Sequence, residues 1–96
     1  MGETTDDPEH HRLLFERDGQ TAELDYRLRP EHLIIVHTEV PESLEGHGIG
    51  GKLVRSAVSM ARERGLKVAP WCPFARSWLE GHPDVAETVA VDWGAP

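Results

Sequence analysis

The chain has 96 residues, enough for one small domain and too few for two, because a compact core needs on the order of 100 residues. Its 17 acidic and 10 basic residues give a formal net charge of -7, which argues against binding nucleic acid or anionic membranes through overall charge. The single cysteine excludes an internal disulfide and the cysteine-rich zinc sites, and we expect a soluble, cytoplasmic protein without a membrane span.

The amino-terminal part is predicted to contain a leader and a first strand. Positions 1–11 are acidic and aperiodic, which predicts a disordered leader and one domain over 12–96. The apolar residues within 12–17 predict a strand, and the turn pair Asp18-Gly19 ends it.

Two further strands are predicted before the middle of the chain. Apolar and polar residues alternate over 22–29, which indicates a strand with one solvent-exposed face and places Tyr26 in the core. The β-branched, apolar run 33–38 predicts the central strand of the sheet. Because His37 lies inside this run, we interpret it as a hydrogen-bonded core histidine.

A glycine-rich loop and a helix follow. Four of the nine glycines lie between positions 46 and 51, and the apolar residues after them have helical spacing up to Gly65, which predicts the helix end. The segment 51–67 has five basic residues and one acidic residue, so an acidic protein contains a local basic patch.

The last third is predicted to hold a strand over 66–69 and a helix from Pro73 to near Gly81, and 85–96 form either a strand or a loose tail. The tryptophans Trp71 and Trp78 either wall a cleft or simply pack in the core.

Glycines between a buried strand and a helix can hold a phosphate, because the backbone turns tightly and its N–H groups approach the ligand at the helix N-terminus. A dinucleotide fingerprint also fits the spacing, but position 71 is a tryptophan where that motif needs an acid nearby. A Walker A loop fits less well, since Leu53 replaces the Ser or Thr that binds magnesium. Both folds need a longer chain, and a tight turn beside a solvated basic helix face is the simplest alternative.

The motifs of the stretch 33–83 resemble the acetyl-CoA-binding core of the GCN5-related N-acetyltransferases, in particular their short single-domain branch. The motifs that carry the resemblance are His37-Thr38-Glu39-Val40-Pro41, Gly48-Ile49-Gly50-x-x-Leu53-Val54, Gly65-Leu66-Lys67-Val68-x-Pro70-x-Cys72-Pro73-Phe74 and His82-Pro83. The resemblance implies an α/β (α+β) fold with a mixed, mostly antiparallel sheet flanked by helices. It also implies acetyl-CoA as co-substrate and no metal.

The resemblance implies a set of coenzyme contacts made by backbone N–H groups and basic side chains. Their residues are Val40, His47, Gly48, Ile49, Gly50, Gly51, Lys52 and Arg55. The backbone of Glu39 and Val40 is expected to pair with the pantetheine arm, and the loop amides with the diphosphate. Glu45 departs from the Arg or Gln usual in the family and should weaken binding if it points inward.

Two residues are predicted to take part in acyl transfer. Cys72 follows the strand that ends near Pro70 and is expected at the N-cap of the next helix, where the helix dipole would lower its pKa. It is then a nucleophile or a proton donor, and the alternative is a buried packing residue. Glu39 is a possible general base, directly or through water, and otherwise a solvated strand-end glutamate.

The predicted function is acetyl transfer from acetyl-CoA to an amine, and the alternative is a non-catalytic acyl-CoA-binding module. Six histidines form no pattern of metal ligands, so no metal site is predicted. The expected partner is a small-molecule or protein amine, not nucleic acid or a membrane, and the expected state is a monomer or homodimer.

Overall fold

The fold consists of one five-stranded sheet with helices packed against it. The computed structural model describes residues 4–94, and this part of the chain forms five strands and three α-helices. The strands are β1 (Thr4–Asp7), β2 (Arg12–Arg17), β3 (Gln20–Leu28), β4 (His32–Glu39) and β5 (Lys67–Pro70). The helices are α1 (Ile49–Arg64), α2 (Pro73–Glu80) and α3 (Pro83–Ala86), and a 3₁₀ turn, Glu42–Leu44, precedes α1.

The strands lie side by side in chain order. The pairs from β1 to β4 are antiparallel, and β5 lies parallel to β4 after the crossover through α1. This is the mixed, mostly antiparallel sheet with helices that the family resemblance implies. A parallel strand needs such a crossover because the chain must return to the same end of the sheet.

One hydrophobic core lies between the inner face of the sheet and the helices. The apolar positions of α1 are buried as their spacing predicts, and their residues are Leu53, Val54, Ala57, Val58 and Ala61. Alternate residues of β2 and β3 face them, including the fully buried Tyr26, and Leu79 of α2 joins the same core. The core position predicted for Tyr26 is confirmed.

The amino-terminal segment is more ordered than the sequence predicts. Thr4–Asp7 form β1, which pairs with β2, so the disordered leader predicted over 1–11 is wrong for these four residues. The hydroxyl of Tyr26 donates to Asp6 Oδ1 at 2.7 Å, and the hydroxyls of Thr4 and Ser56 are hydrogen-bonded. These partners are distant in sequence, so local composition gives no sign of them. Positions 1–3 and 95–96 lie outside the described residues, and the domain extent 12–96 stays a prediction.

The Tyr26–Asp6 contact predicts how stability depends on alkaline pH. Burial, and then the hydrogen bond to Asp6, raise the pKa of Tyr26 to about 12. Because the folded pKa exceeds the ordinary value of about 10, the neutral phenol stabilises the fold fully below pH ~10. This stabilisation is lost as the pH rises towards ~12. We expect urea unfolding of the wild type to show this loss and Tyr26→Phe to lack it; equal pH dependence in both would contradict the assignment.

A β-bulge changes the direction of the side chains at the end of β4. Tyr26 pairs with Ile35, but the preceding Asp25 pairs with His37, so Val36 is an extra residue between the two pairs. One extra residue exchanges the faces that the following side chains point to. His37 is therefore 54% exposed, and its interpretation as a core histidine is wrong.

The predicted ends of α1 and α2 are confirmed. Gly65 caps α1 in the left-handed conformation, with φ of 68°, and its N–H donates to Ala61 O and Arg62 O. Pro73 begins α2 and Cys72 is its N-cap, as predicted. The remaining chain forms α3 and a single parallel bridge from Val91 to Val68 of β5. Within residues 4–94, no helix is long and apolar enough to cross a membrane.

Candidate functional site

The strands β4 and β5 separate halfway along β4. Their pairing ends at Ile35 and Pro70, and the N–H groups of Trp71 and Cys72 both donate to Ile35 O, at 3.0 and 2.9 Å. Beyond this point β4 continues to Glu39 and pairs with β3 alone among the described strands. The edge of β4 that faces away from β3 is therefore open to a ligand.

A cavity of about 580 Å³ lies at this gap. The end of β4 forms one side, the glycine loop and the first turn of α1 form the floor, and α2 contributes two aromatic side chains. The lining residues are Thr38, Glu39, Val40, Leu44, Glu45, Gly46, Gly48, Ile49, Gly50, Gly51, Phe74 and Trp78. We call this space the donor cavity. Its volume is typical of small-molecule sites.

The first turn of α1 presents unsatisfied N–H groups to the donor cavity. Gly48 is the N-cap in the left-handed conformation, with φ of 72°, which favours glycine. The first bond within the helix runs from Lys52 N–H to Gly48 O at 3.1 Å, so the N–H groups of Ile49, Gly50 and Gly51 have no acceptor inside the helix. The N–H of Lys52, predicted as a phosphate ligand, is already engaged in this bond.

Two aromatic rings lie against the glycines of this turn. A Cβ atom on Gly50 would lie 2.6 Å from Phe74 Cζ, and one on Gly51 would lie 2.5 Å from Trp78 Nε1. Neither distance is possible for real atoms, so both glycines are required for this packing. The sequence analysis missed this role, although two successive glycines inside a helix indicate the close approach of another group.

Trp78 is held on several sides. Its ring stacks on His82 with centroids 3.8 Å apart, and His82 Nδ1 is hydrogen-bonded to Trp78 O at 2.7 Å. The guanidinium of Arg55 lies 5.2 Å from the ring centroid. Trp78 thus forms a wall of the donor cavity. This agrees with the first of the two interpretations of the tryptophans, a cleft wall, and not with simple packing in the core. Trp71 is 45% exposed and does not line the cavity.

The structure brings together five of the eight predicted coenzyme contacts. The donor cavity is lined by Val40, Gly48, Ile49, Gly50 and Gly51. The other three lie at its margin, since His47 and Lys52 line a neighbouring cavity with Arg17, Glu16 and Asp18, and Arg55 packs on Trp78.

Cys72 lies just behind the cavity. It is 5% exposed, and its thiol donates to Thr38 Oγ1 at 3.6 Å, while Thr38 lines the cavity itself. The bulge at Val36 is what turns Thr38 inward, so β4 supplies the side chain that connects Cys72 with the cavity.

The carboxylate of Glu39 lies on the opposite, solvent-exposed face of the sheet. Glu39 lines the donor cavity, but its Oε1 is 3.1 Å from His37 Nε2 and its side chain is 71% exposed. Glu23 pairs with Glu39 across the strands. Partial burial, followed by the hydrogen bond and charge of Asp25, raises the pKa of Glu23, and Glu39 adds to this rise. Arg12 forms ion pairs with Glu23 and Asp25 on this face, so three carboxylates surround one guanidinium and the outer surface beside Glu39 keeps an excess of negative charge.

Comparison with known proteins decides the family. The model of the GCN5-related N-acetyl-transferase family matches residues 12–88. The chain belongs to the GCN5-related N-acetyltransferase family. The fold is also similar to the NMR solution structure of a GCN5-like protein from Staphylococcus aureus, described as a candidate N-acetyltransferase, with a TM-score of 0.72 and 29% identity. That match covers 94% of this chain and 89% of the other. A search of curated proteins finds no match.

The family and fold predicted from the sequence are confirmed, and membership of the GCN5-related N-acetyltransferase family supports acyltransferase activity in general. Whether acetyl-CoA fits this protein depends on the residues that line the donor cavity. The open edge of β4 and the N–H groups of α1 line one cavity, as an amide-containing arm that carries a diphosphate would require. Among residues 4–94, His, Cys, Asp and Glu side chains form no group of three that could hold a metal ion.

Proposed function

We propose that this protein is an acyltransferase that moves an acetyl group from acetyl-CoA to an amine. The observation that supports this most is the open edge of β4, which meets the first turn of α1 in one cavity. The pantetheine arm contains amides, so it can pair with the backbone of Glu39 and Val40 like an added strand. The diphosphate then lies at the N–H groups of Ile49, Gly50 and Gly51, where the helix dipole favours negative charge.

In the direct route, the neutral amine attacks the thioester carbon, the carbon–sulfur bond breaks, and the thiolate leaves. Glu39 is the proposed general base, directly or through water. Because its carboxylate lies on the outer face of the sheet, we propose that the acceptor amine approaches from that face. Cys72 would return a proton to the leaving thiolate, with Thr38 between the thiol and the cavity.

In the covalent route, the Cys72 thiol gives up its proton and its sulfur attacks the thioester carbon. The carbon–sulfur bond of acetyl-CoA breaks, and the leaving coenzyme A thiolate takes up that proton. The amine then attacks the acetylated Cys72, and the thiolate of Cys72 leaves again. This route needs the Cys72 side chain to turn from Thr38 towards the cavity, because the side chain is 5% exposed.

A non-catalytic acyl-CoA-binding module is the second candidate. It is favoured by the positions of the two predicted catalytic groups, since Cys72 lies behind the cavity wall and the Glu39 carboxylate points to solvent. The binding part of the site would be the same in both cases.

Two measurements separate these functions. Calorimetry with acetyl-CoA is expected to detect binding, and no binding at millimolar ligand would contradict both. A colorimetric assay of thiol release with a panel of polyamines, lysine peptides and simple amines is expected to find at least one acceptor. Binding without thiol release above the rate of free acetyl-CoA would favour the module.

Replacement of Glu45 tests the departure from the family motif. Glu45 is exposed but lines the donor cavity, so its charge lies near the proposed diphosphate. Because exposed charge pairs contribute less than about 1 kcal/mol, we expect Glu45→Gln to raise the affinity for acetyl-CoA about two- to fivefold. Calorimetry at low and high salt measures it, with Glu42→Gln as control. Weaker binding by Glu45→Gln would mean that Glu45 contacts the ligand favourably.

The acceptor class, the oligomeric state and the cytoplasmic location stay predictions. The acidic outer face beside Glu39 supports a cationic amine as acceptor, without distinguishing a polyamine from a lysine side chain.

A further inference from the structure

An exposed histidine and a glutamate form a hydrogen-bonded pair on the outer face of the sheet, at the end of β4. His37 Nε2 and Glu39 Oε1 lie 3.1 Å apart, and both side chains are exposed. A carboxylate can only accept hydrogen bonds, so Nε2 carries the hydrogen of the neutral ring and Nδ1 keeps its lone pair. Within residues 4–94, no hydrogen bond engages Nδ1 of His37. The ring therefore has a free proton acceptor and is oriented by a carboxylate. We call the two residues the outer dyad.

The outer dyad lies beside the reacting end of the donor. In the proposed function the diphosphate lies at the start of α1, so the arm that pairs with Val40 and Glu39 continues along β4 towards Thr38. Because Thr38 lines the donor cavity and accepts a hydrogen bond from the Cys72 thiol, we expect the thioester near this residue. His37 precedes Thr38 directly and lies beyond the point where β4 and β5 stop pairing. An amine that enters this gap from the outer face therefore meets the thioester beside His37.

A histidine is better suited than a glutamate to take a proton from an amine. An alkylamine is an ammonium ion at neutral pH and must lose a proton before its nitrogen can attack. General bases are most efficient when they titrate near the working pH, and histidine is the residue type that ordinarily does so. This preference favours the imidazole of the outer dyad over its carboxylate as the group that contacts the amine.

The charged groups around His37 come from three strands. Glu39 lies on its own strand, Asp25 lies opposite it on β3, and Arg12 of β2 donates to Asp25 Oδ1 at 3.0 Å. The segment 71–73 after β5 has no charged residue. An imidazolium formed during the reaction is therefore within hydrogen-bond distance of the Glu39 carboxylate.

We propose that His37 is the catalytic base that takes a proton from the acceptor amine, with Glu39 as the carboxylate that orients the ring. This inference rests on the proposed function and refines the role of Glu39 in it. Nδ1 of His37 takes one proton from the ammonium ion, and the nitrogen lone pair forms the bond to the thioester carbon. The carbon–sulfur bond breaks with its electron pair on the sulfur, and the second proton of the nitrogen neutralises the leaving thiolate. The imidazolium then releases its proton to solvent at the exposed outer face.

Replacing His37 by glutamine tests the base. General bases typically contribute at least about 100-fold, so we expect His37→Gln to lower kcat by about this factor, with the affinity for acetyl-CoA within about twofold of the wild type. The loss should shrink as the pH rises from about 7 to about 9.5, because more of the amine is then neutral without a base. Thiol release with the fastest amine of the panel measures kcat, and calorimetry measures the affinity. A purely structural role would lower kcat by the same factor at every pH.

His32 provides the matched control. It lies at the other end of β4, and its Nε2 is 3.0 Å from Asp92 Oδ2, so it has the same kind of carboxylate partner. His32→Gln should keep the wild-type kcat and its pH dependence. Free imidazole should restore part of the kcat that His37→Ala loses, because it can replace the missing ring, and it should not change kcat in His32→Ala.

The outcomes separate this inference from the proposed function. Wild-type kcat in His37→Gln, together with a large loss in Glu39→Gln, would identify Glu39 as the base and overturn the inference while acetyl transfer remains. A loss in His37→Gln that is equal at every pH would also overturn it. If no amine of the panel gives thiol release, the proposed function is wrong and the inference is wrong with it.

The tautomer of His37 gives a readout that does not depend on turnover. We expect the ¹⁵N NMR shifts of the neutral ring to show the hydrogen on Nε2 in the wild type. A hydrogen on Nδ1 would contradict the orientation by Glu39, and with it the role of Nδ1 as proton acceptor.

Discussion

Replacing Cys72 by serine is expected to lower kcat for acetyl transfer by about 100-fold or more, with the affinity for acetyl-CoA within about twofold of the wild type. A serine hydroxyl has nearly the size of the thiol but is a far weaker acid and nucleophile. The side chain is 5% exposed and bonded to Thr38, so serine keeps the packing and the hydrogen bond. Thiol release with the best amine of the panel measures kcat, and calorimetry measures the affinity.

Further measurements distinguish the two routes through Cys72. In the covalent route, intact-mass analysis after rapid quenching detects one acetyl group on the wild type and none on Cys72→Ser. In the direct route neither protein carries it, although kcat still falls. Thr38→Val is the companion variant because it removes the acceptor of the Cys72 thiol. An unchanged kcat in Cys72→Ser would identify Cys72 as a packing residue.

The second large effect is expected from Gly51→Ala. The new methyl group would lie 2.5 Å from Trp78 Nε1, so the ring must move away from the first turn of α1. Moving the ring disturbs its stack on His82 and its contact with Arg55. Overpacking typically costs about 1–3 kcal/mol, and the higher helix propensity of alanine returns about 1 kcal/mol. We expect the free energy of unfolding to fall by about 1 kcal/mol and the affinity for acetyl-CoA by about 10-fold.

Two other glycines provide controls for Gly51→Ala. Gly81 has right-handed backbone angles and its nearest neighbouring atom is Ser77 O at 3.6 Å from a new Cβ, so Gly81→Ala should change neither quantity. Gly50→Ala should have a smaller effect than Gly51→Ala, because the ring of Phe74 is 45% exposed and can turn into solvent. Urea unfolding and calorimetry measure both quantities. Wild-type affinity in Gly51→Ala would show that the position of Trp78 does not matter for the donor.

Local patterns predicted much of the fold. In β3 and α1 the buried residues are those that the alternation and the helical spacing predict. Each of these patterns repeats within a single element, so the sequence alone is enough to find it. The left-handed cap at Gly65 and the start of α2 at Pro73 also depend on local backbone preferences. Such features need no knowledge of what packs against them.

Features that depend on distant partners could not be predicted. β1 pairs with β2, and its side chains are hydrogen-bonded to Tyr26 and Ser56, which both lie far along the chain. The bulge at Val36 follows from the pairing with β3, and it places Thr38 inward and His37 outward against the simple alternation. Within the site, the glycine loop and Cys72 were predicted from motifs. The wall of Phe74 and Trp78 against Gly50 and Gly51 depends on how α2 packs on α1.

The most direct test of the donor cavity is an NMR titration of the ¹⁵N-labelled protein with acetyl-CoA. Our account predicts that the largest amide shifts occur at Val40 and at Gly48, Ile49, Gly50 and Gly51, with the indole N–H of Trp78 shifting as well. The amides of β1, which lies at the opposite edge of the sheet from β5, should change little. Shifts confined to other parts of the surface, or no shifts at millimolar acetyl-CoA, would contradict the account.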